Sequence, residues 1–194
     1  MSKKDEINTI YNLVKNCKKC SLYKNRTNIV FGEGSLNAKI MFIGEAPGYY
    51  EDIQGQPFVG RAGKILDDLF NSIKLKRNNV FITNVLICRP PKNRNPLKKE
   101  IDKCKNYLDK KIEIIKPKIL VPMGNFASSY VFDKFGLKKD KISNIHGKIF
   151  EIKNAFWNIK IIPIYHPASA IYNNNIKKIL YEDIKLIKNI LIHC

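Results

Sequence analysis

Apolar residues recur along the chain in two rhythms, one of three to four residues and one of short unbroken runs. Between residues 5 and 16, Ile7, Ile10, Tyr11 and Val14 follow the first rhythm among polar neighbours, which predicts an amphipathic helix. A polar, cysteine-bearing loop follows to about Leu36. Four short runs then stand out: Ile40–Ile43, Val80–Thr83, Ile119–Pro122 and Ile161–Tyr165. Their length and their β-branched and aromatic content predict buried strands. Helical spacing returns between and after them, over Ala62–Ile73, Leu97–Ile115, Asn125–Phe135 and Tyr181–Leu191. Residues 148–162 read as a hairpin, with its turn near Asn154–Asn158. Strands alternating with helices predict one α/β domain over residues 1–194, a three-layer α/β/α fold around a central four-stranded parallel sheet. No repeat, linker or low-complexity segment interrupts the pattern.

Just past the ends of the four runs stand Gly44-Glu45, Asn84, Met123-Gly124 and His166. Open parallel sheets bind ligands in the crevice beyond the carboxyl ends of their strands. The strand assignment therefore predicts that these residues, far apart in sequence, meet at one site.

Charge narrows the choice of ligand. The 194 residues carry 35 Lys plus Arg against 17 Asp plus Glu, a formal net charge of +18. A field of that sign attracts polyanions, nucleic acid first and an anionic membrane surface second. The polar start of the chain, Met1 to Glu6, lacks the apolar core of a signal peptide. Lys or Asn interrupts every apolar run before it reaches membrane-spanning length. The expectation is a cytoplasmic protein with reduced cysteines, no membrane partner and no disulfide framework.

The cysteines then need another account. Cys17 and Cys20 form a C-x-x-C pair, with Cys88 and Cys104 far downstream. Two thiolates two residues apart bind one centre from one loop, and Cys88 with Cys104 complete a four-sulfur cage. Spacing alone leaves structural zinc and a [4Fe–4S] cluster both open, with a redox pair as the further alternative. Cys194 reads as an uninvolved thiol.

At this point several segments together carry a resemblance. Gly44-Glu45-Ala46-Pro47-Gly48, followed by Gln56-Pro57-Phe58-Val59-Gly60-Arg61-Ala62-Gly63, resembles the first motif region of family 4 uracil-DNA glycosylases. Thr83-Asn84-Val85-Leu86-Ile87-Cys88-Arg89-Pro90-Pro91 is similar to that family's middle motif, and Tyr165-His166-Pro167-Ala168-Ser169 to its last. The four cysteines match its cluster ligands in order and approximate spacing. The motifs span residues 17 to 169, and their joint order is far more specific than any fragment. The resemblance implies a [4Fe–4S] cluster on Cys17, Cys20, Cys88 and Cys104. It also implies excision of uracil from single- or double-stranded DNA by a monomer, with replication or repair proteins as further partners.

Chemistry assigns the roles this resemblance implies. An enzyme acting on one base must extrude it into a pocket, unless the strand is already single. Phe58 offers an aromatic face on which the ring stacks. Asn84 reads its edge, the carboxamide oxygen accepting from N3–H and the nitrogen donating to O4. Cytosine reverses that pattern and is refused. His166, as a neutral imidazole, donates to uracil O2 where charge develops. Glu45 is the carboxylate of the tight turn, expected to orient water or to stabilise a positive sugar. The aspartate that better-known uracil glycosylases place here is replaced by Ala46-Pro47-Gly48. Gly44, Ala46 and Gly48 line the approach to the base. Arg61 opens a helix whose first amides suit a phosphate. Arg89, Lys92 and Arg94 supply further DNA contacts, and Ala168, Ser169 and Ala170 a wedge for the minor groove. Glu51 and Asp52 read as a solvated face, His146 and His193 as structural or exposed.

Three rival readings remain. A uracil-DNA-binding or crosslinking relative carries a basic insert with an extra histidine after the middle motif, and Arg89–Pro96 contains none. A non-enzymatic iron–sulfur or zinc nucleic-acid-binding module has no need of Asn84 and His166 at strand ends. A Rossmann-like nucleotide enzyme requires a glycine fingerprint that is absent.

Overall fold

A computed structural model of the chain describes residues 1–192. Helix α1 (Lys3–Lys15) is started by a capping box, Ser2 and Asp5 each accepting from the other's backbone N–H, and buries the predicted stripe Ile7, Ile10 and Val14. The strands are β1 (Glu33–Gly34), β2 (Ile40–Gly44), β3 (Phe81–Asn84), β4 (Ile119–Pro122), β5 (Phe150–Lys153) and β6 (Asn158–Ile161). The further helices are α2 (Tyr49–Gln54), α3 (Arg61–Ser72), α4 (Lys98–Ile115), α5 (Gly124–Phe135), α6 (Ile142–Ile145) and α7 (Asn174–Ile192).

The sheet runs β1-β3-β2-β4-β6-β5, with the four inner strands parallel and both edge strands antiparallel. Three of the four expected parallel strands, β2, β3 and β4, lie at its centre, β6 takes the fourth inner place, and among the described residues the sheet has six strands rather than four. β1 escaped notice because two residues, one of them glycine, carry no alternation to read. β5 and β6 are the predicted hairpin. The run Ile161–Tyr165 does not form a full strand: β6 ends at Ile161, and Pro163 has no N–H to donate. Pairing nevertheless continues past it, Ile162 N–H donating to Leu120 O at 2.9 Å and Ile164 N–H to Pro122 O at 3.0 Å.

Alternation along the inner strands divides the core in two. Ile40, Phe42, Ile119 and Val121 pack with Leu66, Leu69 and Phe70 of α3 and Leu180, Ile184 and Ile187 of α7. Met41, Ile43 and Leu120 face the other way, against Leu108 and Ile112 of α4 and Val131 and Phe132 of α5. This is the expected three-layer arrangement. A third apolar group joins α1, the cysteine loop, Leu86-Ile87-Cys88 and the start of α4. α7 begins seven residues before the predicted Tyr181, because Asn173 Oδ1 accepts from the N–H groups of Asn175 and Ile176 and so caps a segment that reads as loop.

Candidate active site

Parallel pairing brings the strand ends together. Gly44 at the end of β2 lies beside Asn84 at the end of β3. Met123 N–H donates to Ile43 O, and Gly124 N–H to Ile164 O, each at 2.8 Å, which sets the segment carrying His166 beside β4. Gly124 takes a φ of +83°, and a side chain there would press on His166 Cβ at 3.0 Å. Above these ends opens a pocket of about 410 Å³ lined by Glu45, Ala46, Gly48, Phe58, Asn84 and His166. Gly44 does not itself line the pocket but sits against its lining: a Cβ there would lie 2.3 Å from Asn84 Oδ1 and 2.6 Å from the Phe58 ring. Glycine is thus required for the aromatic ring and the carboxamide to share one site.

The three principal side chains differ in how they are held. Phe58 is buried and sits at φ 54°, in the left-handed region that a bulky residue rarely adopts. Its ring lies 5.7 Å from that of His166, tilted by 31°. Asn84 is buried, and its carboxamide has no hydrogen-bond partner among the described residues, although it lines the pocket. His166 Nδ1 accepts from Ala168 N–H at 3.2 Å. Desolvation pushes its pKa down to about 4, against a weaker upward pull from Glu51. The neutral imidazole therefore carries its proton on Nε2, as a donor. Glu45 is half-buried, and burial raises its pKa above the ordinary glutamate value.

Two carboxylates taken from the sequence for a solvated face are structural. Glu51 lines the pocket and accepts from Val59 N–H at 3.0 Å and Gly60 N–H at 2.9 Å. It occupies the start of α3, where a phosphate was expected at the helix amides. Asp52 is buried and accepts twice from Thr27 N–H, at 3.0 and 3.1 Å, tying the cysteine loop to α2. Arg77, which sequence reasoning passed over, holds the Phe58 turn from below. Its guanidinium donates to Pro57 O at 2.7 Å and Phe58 O at 3.3 Å while bonding Glu33 and Asp67. Nothing in the chain distinguishes this arginine before the contacts are seen.

The basic residues divide. Arg61 lines the pocket, exposed, and bonds Tyr172. Arg89 is half-buried, over the ring of Tyr49, and Lys92 is exposed at φ 53°. Arg94 lines the pocket with both terminal nitrogens on Glu100, at 2.9 and 2.6 Å, so much of its charge is already matched. In the last motif Ala168 and Ser169 are exposed but Ala170 is buried in the core, which removes it from the expected wedge. His146 bonds Asp183 of α7 and is structural. His193 and Cys194 lie outside the described residues.

Beyond the end of β3, Cys17, Cys20, Cys88 and Cys104 line a single small cavity, all four free thiols. Tyr107 O–H donates to Cys17 Sγ and Arg26 to Cys88 Sγ, each at 3.3 Å, the kind of donors that steady thiolate ligands. Among the described residues no group of three or more His, Cys, Asp or Glu side chains is arranged to hold a single metal ion. Four thiols lining one cavity could together hold a metal centre.

The comparisons with known proteins agree with this geometry. Residues 31–185 match the model of the Uracil DNA glycosylase superfamily. The chain is similar to the type-4 uracil-DNA glycosylase of Sulfurisphaera tokodaii, 48% identical over 97% of this chain and 86% of that protein. It is 47% identical to that of Saccharolobus solfataricus, over 96% and 87% of the two chains. For Archaeoglobus fulgidus the identity is 43%, over 94% and 92%. Strand-end convergence, the motif order and these likenesses lead to one assignment: the chain belongs to the uracil-DNA glycosylase superfamily, among its type-4 members.

Proposed function

We propose that this protein removes uracil from DNA by hydrolysing the glycosidic bond of an extruded deoxyuridine. The observation that carries the reading is the meeting of Phe58, Asn84 and His166, from three separate segments, around one open pocket. The uracil ring stacks on Phe58. The buried Asn84 carboxamide, without an internal partner, accepts from N3–H and donates to O4. As the C1′–N1 bond breaks, its electron pair enters the base and charge gathers on O2. His166 Nε2–H donates there without transferring its proton, since the ring is already neutral. Glu45 faces the positive sugar and takes the proton of the water that attacks C1′. The uracil anion departs and is protonated by solvent, Glu45 returns its proton to water, and an abasic site remains.

The four cysteines fit a [4Fe–4S] cluster, which when bound ties the segment after α1 to the loop after β3 and to α4. Arg61, Arg89, Lys92 and Ser169 are the DNA contacts in this reading, with Arg94 a lesser one. It describes a cytoplasmic monomer; among the described residues no helix is long and apolar enough to cross a membrane.

The test is incubation of the purified protein with uracil-containing single- and double-stranded oligonucleotides, scoring alkali-labile sites. Strand cleavage at uracil and none at cytosine is expected, and Asn84→Asp should blur that distinction. Oligonucleotides left intact would overturn the assignment. Iron and acid-labile sulfide in near-equal amounts, lost in Cys88→Ser, check the cluster separately.

A further inference from the structure

Two tyrosine–arginine pairs flank the pocket mouth, and the uracil chemistry uses neither ring. Tyr49, at the start of α2, lines the pocket yet is 53% exposed, with the Arg89 guanidinium 5.0 Å from its ring centre. Tyr50 packs edge-on against it, ring centres 5.4 Å apart at 80°. The second ring, Tyr172, is 84% exposed; Arg61 stands 5.5 Å from its centre and donates to its hydroxyl at 2.5 Å. Arg89 follows β3, while Tyr172 follows the segment beyond β6, and β2 and β4 lie between those strands in the sheet. Arg89 and Tyr172 are thus carried by segments on either side of the two central strands.

Tyr172 stands largely in water and Tyr49 about half so, which leaves ring surface open to a ligand at the pocket's edge. Here each is steadied by an arginine, which can cover no more than one face of the ring. The ring surface left in solvent can take a second planar group, with the guanidinium beside it for an anion. A nucleotide supplies both, a base for the ring and a phosphate for the cation. Unpaired bases can turn their faces outward, whereas duplex bases are already stacked above and below.

We propose that Tyr49 with Arg89 and Tyr172 with Arg61 form two stacking subsites for the unpaired bases on either side of the extruded uracil, biasing the enzyme toward single-stranded DNA. This rests on the glycosylase reading and adds the strand context in which the site works. Stacking on one aromatic ring is worth roughly tenfold in affinity, and is indifferent to which base is present.

The experiment compares wild type with Tyr172→Ala, Tyr49→Ala/Tyr172→Ala and Tyr49→Phe/Tyr172→Phe on single-stranded and duplex uracil substrates. The alanine pair should raise the single-strand KM about tenfold or more and the duplex KM much less, with the phenylalanine pair close to wild type. Tyr172→Ala alone removes a ring that little else contacts, so its loss of single-strand binding does not report misfolding. Equal losses on both substrates, no loss, or a loss matched by the phenylalanine pair would each overturn the subsites. A wild type that excises nothing defeats the glycosylase reading instead. Even then, anisotropy with a uracil-free single-stranded oligonucleotide decides whether the tyrosines bind bases.

Discussion

A single backbone contact decides what His166 can do. Because Nδ1 is taken up by Ala168 N–H, the imidazole meets a ligand only as an Nε2 donor, and its depressed pKa keeps it so. The unfolded chain takes up this proton near the ordinary histidine value, the folded one not until about pH 4. Acidification across that window therefore favours unfolding, and His166→Gln should flatten the slope. NMR titration should find the His166 midpoint near 4; a midpoint in the usual histidine range would remove the enclosed neutral donor. Glu45 is opposite in kind. Burial raises its pKa, so its carboxylate is lost at a higher pH than an exposed glutamate's. The acid limb of kcat/KM should follow Glu45 and vanish in Glu45→Gln, while His166→Ala should lower kcat roughly a hundredfold with little change in DNA binding.

At the scale of elements, the Phe58 turn is held by contacts it does not supply itself. Glu51 binds the amides just after it, and Arg77 binds the carbonyls of Pro57 and Phe58 from the approach to β3. A left-handed phenylalanine persists only where its surroundings over-determine it. Arg77→Ala should therefore cost roughly 2 kcal/mol of stability, read by denaturant melts. It should also lower kcat by more than that loss explains at temperatures where the protein remains folded. Arg77→Lys should recover little, since one ammonium cannot reach two carboxylates and two carbonyls in the guanidinium's fork. Wild-type kcat in Arg77→Ala would show that the turn holds without it. These supports were the least legible part of the sequence. Phe58, Asn84 and His166 announce themselves by strand ends and motif order. Arg77, Glu51 and Asp52 act through backbone atoms of distant segments, and no periodicity encodes a partner. The inner strands and most helices were readable because burial imposes spacing; β1, α2 and the early start of α7 were not, being too short or too polar to show any.

For the whole molecule, the surplus of 18 positive charges acts before any base is read. Affinity for DNA should fall roughly a thousandfold between about 50 and about 200 mM salt if six or more phosphates are engaged. Arg61→Gln and Arg89→Gln should each lessen the slope of log K against log salt by about one. A flat salt dependence would mean that the charge is not directed at the nucleic acid. The sheet order carries a consequence of another kind. The pocket's last wall reaches its place only when Ile164 lies down beside Met123, 120 positions after Gly44 is made. On the ribosome, a growing chain exposes its arginines and its carboxamide long before its imidazole is joined to them. In the proposed mechanism a fragment that stops before His166 lacks the donor to uracil O2, so the pocket gains its full chemistry only once this segment has been made and paired.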